Sequence, residues 1–190
     1  MPEKIVGWGG DTQSASASTC PMQPNLQDWY ACHAGQHGFQ LDEAQQRAIA
    51  SLQRLYDELD VDRQRGWFSR LLDNSAPPRG LYLWGGVGRG KSFLMDGFYA
   101  CAPVELKHRL HFHRFMQGIH AELKNLPPLP DPLIKVAARI AAETRLLCFD
   151  EFHVSDIGDA MLLGRLLREL LRHGMVLVAT SNDHPDHLYK

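Results

Sequence analysis

From Leu41 onward, apolar positions recur at three- and four-residue intervals: Ala44, Ala48, Leu52, Leu55, Tyr56 and Leu59. That period places them on one face of an amphipathic helix, with Asp42 as its N-cap and an end near Asp60. Pro77 and Pro78 then close whatever short helix residues 67–72 form, because proline removes an amide donor and disfavours helix before it. Beyond the prolines the period switches back and forth. Residues 80–84, 110–114, 146–149 and 175–180 read as strands, and residues 91–100, 115–123, 132–144 and 157–173 as helices. The last helix carries an apolar stripe of Ile157, Ala160, Met161, Leu163, Leu167, Leu170 and Leu171. Strands alternating with helices predict βαβ units, and so an α/β fold of three layers with a parallel sheet covered on both faces. No internal repeat is visible.

Residues 1–38 have no sustained apolar period. They are rich in Gly, Ser, Ala, Pro and Thr, with the run Ser14-Ala15-Ser16-Ala17-Ser18-Thr19, and read as a flexible N-terminal extension to a folded core over 39–190. Composition narrows the class. Twenty Lys+Arg against 22 Asp+Glu leave a formal net charge of −2, which excludes a polybasic nucleic-acid coat. No stretch approaches the roughly 20 apolar residues of a membrane span, and Met1-Pro2-Glu3-Lys4 opens neither a secretory nor a transit segment. The four cysteines form no Cys-x-x-Cys pair and suit a reducing compartment. The expected location is a cytoplasm, bacterial in character.

The strongest chemical signal is Gly85-Gly86-Val87-Gly88-Arg89-Gly90-Lys91-Ser92, which matches the P-loop pattern G-x-x-x-x-G-K-[ST]. Glycines let successive backbone N–H groups turn towards phosphate oxygens, and a helix N-terminus adds its positive dipole. Lys91 would reach the β and γ phosphates, and Ser92 would ligate Mg²⁺. A preceding strand and a following helix supply the context the motif requires. A second segment, Arg145-Leu146-Leu147-Cys148-Phe149-Asp150-Glu151, is an apolar run ending in two acids, as in a Walker B strand. Asp150 would hold the Mg²⁺ shell and Glu151 would polarise the attacking water. The competing reading is that both acids cap the helix begun near Asp156. Third, Asn182 ends the last strand in Thr180-Ser181-Asn182, where it could sense the γ-phosphate or place the water. Ligands of open parallel sheets bind beyond the carboxyl ends of the strands, where all three segments fall. Other clusters are weaker. His111 and His113 would share one strand face but lack a third ligand at a familiar spacing. Cys32, His33 and His37, and His184 with His187, read as solvated loops, and Cys148 as a core residue.

The run 80–92, followed by Arg109-Leu110-His111-Phe112-His113-Arg114-Phe115-Met116, closely resembles the ZapE (AFG-one-like) ATPases of the AAA+ superfamily. Leu147-Cys148-Phe149-Asp150-Glu151-Phe152, Val154-Ser155-Asp156-Ile157 and Leu177-Val178-Ala179-Thr180-Ser181-Asn182 resemble that family in order and spacing, from about Tyr30 to Lys190. The resemblance implies an AAA+ P-loop NTPase module with sheet order 5-1-4-3-2. It also implies ATP and Mg²⁺ as cofactors and a homo-oligomeric assembly. The implied role is ATP-driven remodelling of a protein partner, FtsZ at the bacterial division ring, peripheral to the membrane there. Family members commonly carry Thr at the position of Ser92 and Phe at that of His153. They also continue past Asn182 into an arginine finger, a further strand and a helical lid. This sequence stops at Leu188-Tyr189-Lys190, so the core is expected to be incomplete and to bind nucleotide weakly and turn over slowly, since such arginines contribute roughly 10³ to 10⁵ in rate.

Two further readings stay open: a nucleotide-gated protein-binding module without significant hydrolysis, and a helicase-loader-like AAA+ protein. The charge balance disfavours nucleic acid, although Arg63, Arg65, Arg70 and Arg79 could form a local basic patch. A small-molecule kinase is disfavoured because the Asp150-Glu151 pair suits water as acceptor.

Overall fold

Alternation within short segments builds the centre of the molecule. In the computed structural model, which describes residues 26–37, 41–64, 78–127, 130–154 and 156–188, four strands form one parallel sheet. They are β1 (Leu81–Trp84), β2 (Lys107–His111), β3 (Leu146–Asp150) and β4 (Val176–Ser181), in the order β1-β4-β3-β2. Successive side chains of a strand point to opposite faces. Leu147, Phe149 and Ala179 accordingly face one layer of helices, while Leu146, Cys148, Val176 and Val178 face the other. The first layer is α4 (Phe112–Asn125), α5 (Pro132–Glu143) and α6 (Ile157–Arg172). The second is α1 (Leu26–His37), α2 (Glu43–Gln64) and α3 (Lys91–Cys101). This is the expected three-layer α/β architecture, with both faces of the sheet buried as parallel sheets require. No helix among the described residues is long and apolar enough to cross a membrane.

Helix α2 starts where Asp42 predicts. The Gln45 N–H donates to Asp42 Oδ1 at 2.7 Å and the Asp42 N–H donates to Gln45 Oε1 at 3.0 Å, a reciprocal capping box. Ile49, Leu52, Leu55 and Leu59 form its buried stripe, and the helix runs to Gln64 rather than Asp60. Its last turn is carried by polar pairs, Arg63 and Gln64 both donating to Asp60. The pair engages Arg63 within its own helix, while Arg65 and Arg70 lie outside the described residues, as does the helix expected over 67–72.

Three expectations need correction. The extension does not reach residue 38, because α1 is a helix docked on α3 with Leu26 and Tyr30 buried. Two buried positions one turn apart are too short a signal to register as a period, and the docking depends on a distant residue. Gly97 supplies the space, for a Cβ there would lie 2.6 Å from the Trp29 ring and overlap that of Tyr30. The second strand is earlier than expected. Lys107 begins it, its ammonium donating to Tyr99 O at 2.6 Å and Ala102 O at 3.0 Å and so capping the C-terminal end of α3. Helix α4 already starts at Phe112, since Phe112, Phe115, Met116 and Ile119 are buried at helical spacing. His111 and His113 therefore do not share a strand face, and His113 bonds Gln117 within α4. Third, the inward arc of α6 is Leu163, Leu166 and Leu170, while Ile157, Met161 and Leu171 are exposed on its flank.

Candidate nucleotide-binding site

The site is assembled at the carboxyl ends of β1, β3 and β4. Trp84 is in register with Ser181, and the chain leaving β1 stays on β4 through the Gly85 N–H donating to Ser181 O at 3.3 Å. The loop 85–90 then turns into α3. Gly88 and Gly90 both have φ of +78°, which a side chain rarely adopts, so these glycines are needed for the backbone path itself. At Gly90 a Cβ would also lie 2.8 Å from the Gln45 amide. That amide donates to Arg89 O at 3.2 Å, and so the N-terminal end of α2 braces the loop. Helix α3 begins without a capping side chain and without an acid in its first turn, so no side chain of its own first turn offsets the positive end of its dipole.

Lys91 is folded back over this loop. Its ammonium donates to Gly85 O at 2.7 Å, Gly86 O at 2.8 Å and Asn182 Oδ1 at 2.9 Å, and partial burial lowers its pKa from the ordinary lysine value. The first residue of α3 and the residue after β4, 91 positions apart, are thus in direct contact. Ser92 lies exposed beside it in the first turn of α3.

Asp150 ends β3 in the sheet, and Glu151 follows in the left-handed region with φ of 55°. That backbone is pinned to β4. The Glu151 N–H donates to Thr180 Oγ1 at 3.3 Å, the Phe152 N–H donates to Thr180 O at 2.7 Å, and the Ser181 hydroxyl donates to Phe152 O at 2.6 Å. The turn leaves the Glu151 side chain 81% exposed, its carboxylate 3.8 Å from His111 Nδ1. It opens on a cleft of about 340 Å³ lined by Glu151, Phe152, His153, Asn182 and Asp183. Neither acid caps α6; Asp156 does so, accepting from the Gly158 and Asp159 N–H groups at 2.7 and 3.1 Å. Cys148 is fully buried on the α3 side, where burial pushes its thiol up to about 12, out of reach as a nucleophile at neutral pH.

Two features of the site were not foreseen. Arg109 on β2 donates from Nε and Nη2 to the two oxygens of Asp150 at 2.7 and 3.2 Å, and from Nη1 to Asp96 on α3. Its place in the run 109–116 gave the only hint, since its partners lie on other elements. His153 pairs with Asp183 across the cleft at 2.8 Å. Among the described residues no group of three or more His, Cys, Asp or Glu forms a metal cage. The Asp150 carboxylate and Ser92 hydroxyl are nevertheless hard oxygen donors of the kind that suit Mg²⁺, which takes few protein ligands when phosphates complete its shell.

A family model described as AFG1-like ATPase matches residues 25–190. Over 182 residues the chain is 48% identical to Cell division protein ZapE of Escherichia coli (strain K12), covering 89% of this chain and 48% of that protein. It is 46% identical over 125 residues to Lactation elevated protein 1 homolog B of Danio rerio, covering 60% of this chain and 25% of that one. The chain therefore spans about half the length, or less, of these curated relatives. Among solved structures, DnaI matches with TM-score 0.52 at 16% identity over 77% of this chain and 70% of that one. AMPPCP-bound DnaA from Aquifex aeolicus matches with TM-score 0.52 at 16% identity over 80% and 43%. At such identities these two likenesses establish the fold alone. The family model spans all of the described residues, the loop 85–92 and the acids at the end of β3 included, and the chain belongs to the AFG1-like ATPase family.

Proposed function

We propose that this chain binds Mg-ATP at the ends of β1, β3 and β4 and hydrolyses it, as the motor half of a protein-remodelling ATPase. The observation that carries the reading is the Lys91 ammonium, held by Gly85, Gly86 and Asn182 at 2.7 to 2.9 Å. It gathers the P-loop and the end of β4 around one point, next to the acids that end β3. Phosphate oxygens would take the place of these acceptors on Lys91, and the positive end of the α3 dipole would face the same anion. Ser92 and Asp150 would hold Mg²⁺, which when bound offsets the charge of the phosphates. Glu151, turned outward into the cleft, would orient and polarise the attacking water, with Asn182 placing it against the γ-phosphate. The name of the Escherichia coli relative supports a role in cell division. FtsZ is the partner implied by the family resemblance, and assembly of several copies follows from the same source.

The test is calorimetry of Mg-ATP binding to this chain and to Lys91→Ala, with phosphate release followed in parallel in the chain and in Glu151→Gln. The expected result is binding that vanishes in Lys91→Ala, and retained binding with release reduced by at least about tenfold in Glu151→Gln. Equal binding by the chain and Lys91→Ala would exclude the site. Cosedimentation with FtsZ filaments, with and without ATP, checks the partner; an amount bound that does not respond to nucleotide would exclude FtsZ as the remodelled protein.

A further inference from the structure

Arg109 commits its guanidinium to two carboxylates. One edge lies on both oxygens of Asp150, and the remaining nitrogen holds Asp96, one turn beyond Ser92 on α3. The Arg109 and Asp150 side chains are 21% and 15% exposed, so the pair is partly withdrawn from water, whereas Asp96 is 53% exposed. A divalent cation beside Ser92 calls on the same Asp150 oxygens that Arg109 occupies. Two cations on one carboxylate repel one another, and a second acid stands within reach of the same guanidinium.

We propose that Arg109 is a placeholder counter-ion: it holds and aims the Asp150 carboxylate before nucleotide arrives, and Mg²⁺ competes with it for that carboxylate while Asp96 retains the guanidinium. The inference rests on the assignment of Asp150 to the metal in the preceding section. Arg109 is on this account a positioning residue that acts through Asp150, and its removal makes metal binding tighter. Damage to the fold would do the opposite.

The readout is the ratio of ATP affinity in excess Mg²⁺ to that in EDTA, measured by displacement of a fluorescent ATP analogue. Arg109→Gln should raise this ratio about three- to tenfold, the size of coupling typical of contacting charged groups. Arg109→Lys, which keeps the charge, should return it towards the parent value. Asp96→Asn, half-exposed and so tolerant of change, should lower the ratio by removing the alternative seat for Arg109. In the double variant Arg109→Gln/Asp96→Asn that lowering should disappear. An unchanged or reduced ratio in Arg109→Gln overturns the proposal, as does an Asp96→Asn effect of equal size with and without Arg109. Should Arg109→Gln fail to fold, Asp96→Asn decides alone, a ratio at or above the parent value overturning the proposal. Asp150→Asn separates the two layers of argument. If it leaves the parent ratio intact, the metal assignment and this inference both fall; if it collapses the ratio while Arg109→Gln leaves it unchanged, only the placeholder role falls.

Discussion

Glu151 holds φ of 55°, where a residue with a Cβ is strained by about 1–3 kcal/mol. Three hydrogen bonds from 151–152 and 181 hold that backbone against β4, so the strain is fixed in place. It has a use, because the left-handed turn directs the carboxylate out of the sheet and into the cleft instead of alongside Asp150. Glycine adopts this conformation without strain but adds freedom to the unfolded chain, which costs about 0.5–1 kcal/mol. Glu151→Gly is therefore expected to match or exceed the parent in stability by up to about 2.5 kcal/mol, while Glu151→Ala, which keeps the Cβ, should gain nothing. Urea melts of the three proteins check this, and an Ala variant as stable as the Gly variant would show that the turn is unstrained. Gly90 is the reverse case. Its φ of +78° and the Gln45 amide 2.8 Å from its Cβ position both oppose a side chain, so Gly90→Ala should open the brace between α2 and the loop. Increased hydrogen exchange at 85–90 in that variant is the measurement.

The strands β1, β3 and β4 and the helices α2, α3, α5 and α6 could be located from apolar periodicity within a few residues, because each buries its own stripe or face. Helix α1 could not. Its docking depends on Leu26 and Tyr30 meeting a groove opened by Gly97, and the Tyr30 hydroxyl donates to Leu94 O, a partner 64 positions away. Burial of tertiary origin leaves no local pattern. The same holds for the site: the glycines, Lys91, Asp150, Glu151 and Asn182 announce themselves by motif, whereas Arg109 becomes visible only once β2 and β3 pair. Two variants probe α1. Gly97→Ala places a Cβ against the Trp29 and Tyr30 rings and should destabilise by about 1–3 kcal/mol, with exchange rising first in α1. Alkaline pH should act on the same contact. Burial raises the Tyr30 pKa above its ordinary value near 10, so the folded chain keeps a proton that the unfolded chain releases. That stabilisation is complete below about pH 10 and is lost as the pH rises beyond it. Tyr30→Phe should flatten this alkaline fall in urea melts between pH 8 and 11, though less stable at neutral pH; an unaltered slope would mean that Cys148, Tyr82, Tyr99 and Tyr56, also raised by burial, carry it instead.

The candidate nucleotide site joins parts that no single helix or hairpin contains. Its P-loop is braced by α2 through Gln45, its lysine is tied to the end of β4, and its acid is clamped to β2 and α3 by Arg109. Helix α3, which starts at the loop, is also the floor on which α1 docks. A ligand at such a junction binds only when all the parts are in place, so its binding energy must appear as stability of the whole unit. At a free concentration 100 times its Kd, Mg-ATP should stabilise the chain by about 2.7 kcal/mol. Hydrogen-exchange protection should spread with it, from 85–92 to β3, β4 and the N-terminal half of α2, and through α3 to α1. Slowed exchange confined to the loop, with α1 and β4 unmoved, would mean that the loop folds on its ligand independently and that the contacts of Lys91 and Gln45 transmit nothing. Protection of α1 lost in Gly97→Ala but kept at β4 would instead trace the connection to the α1–α3 contact, and would make that helix the part of the molecule through which nucleotide occupancy reaches the residues before it.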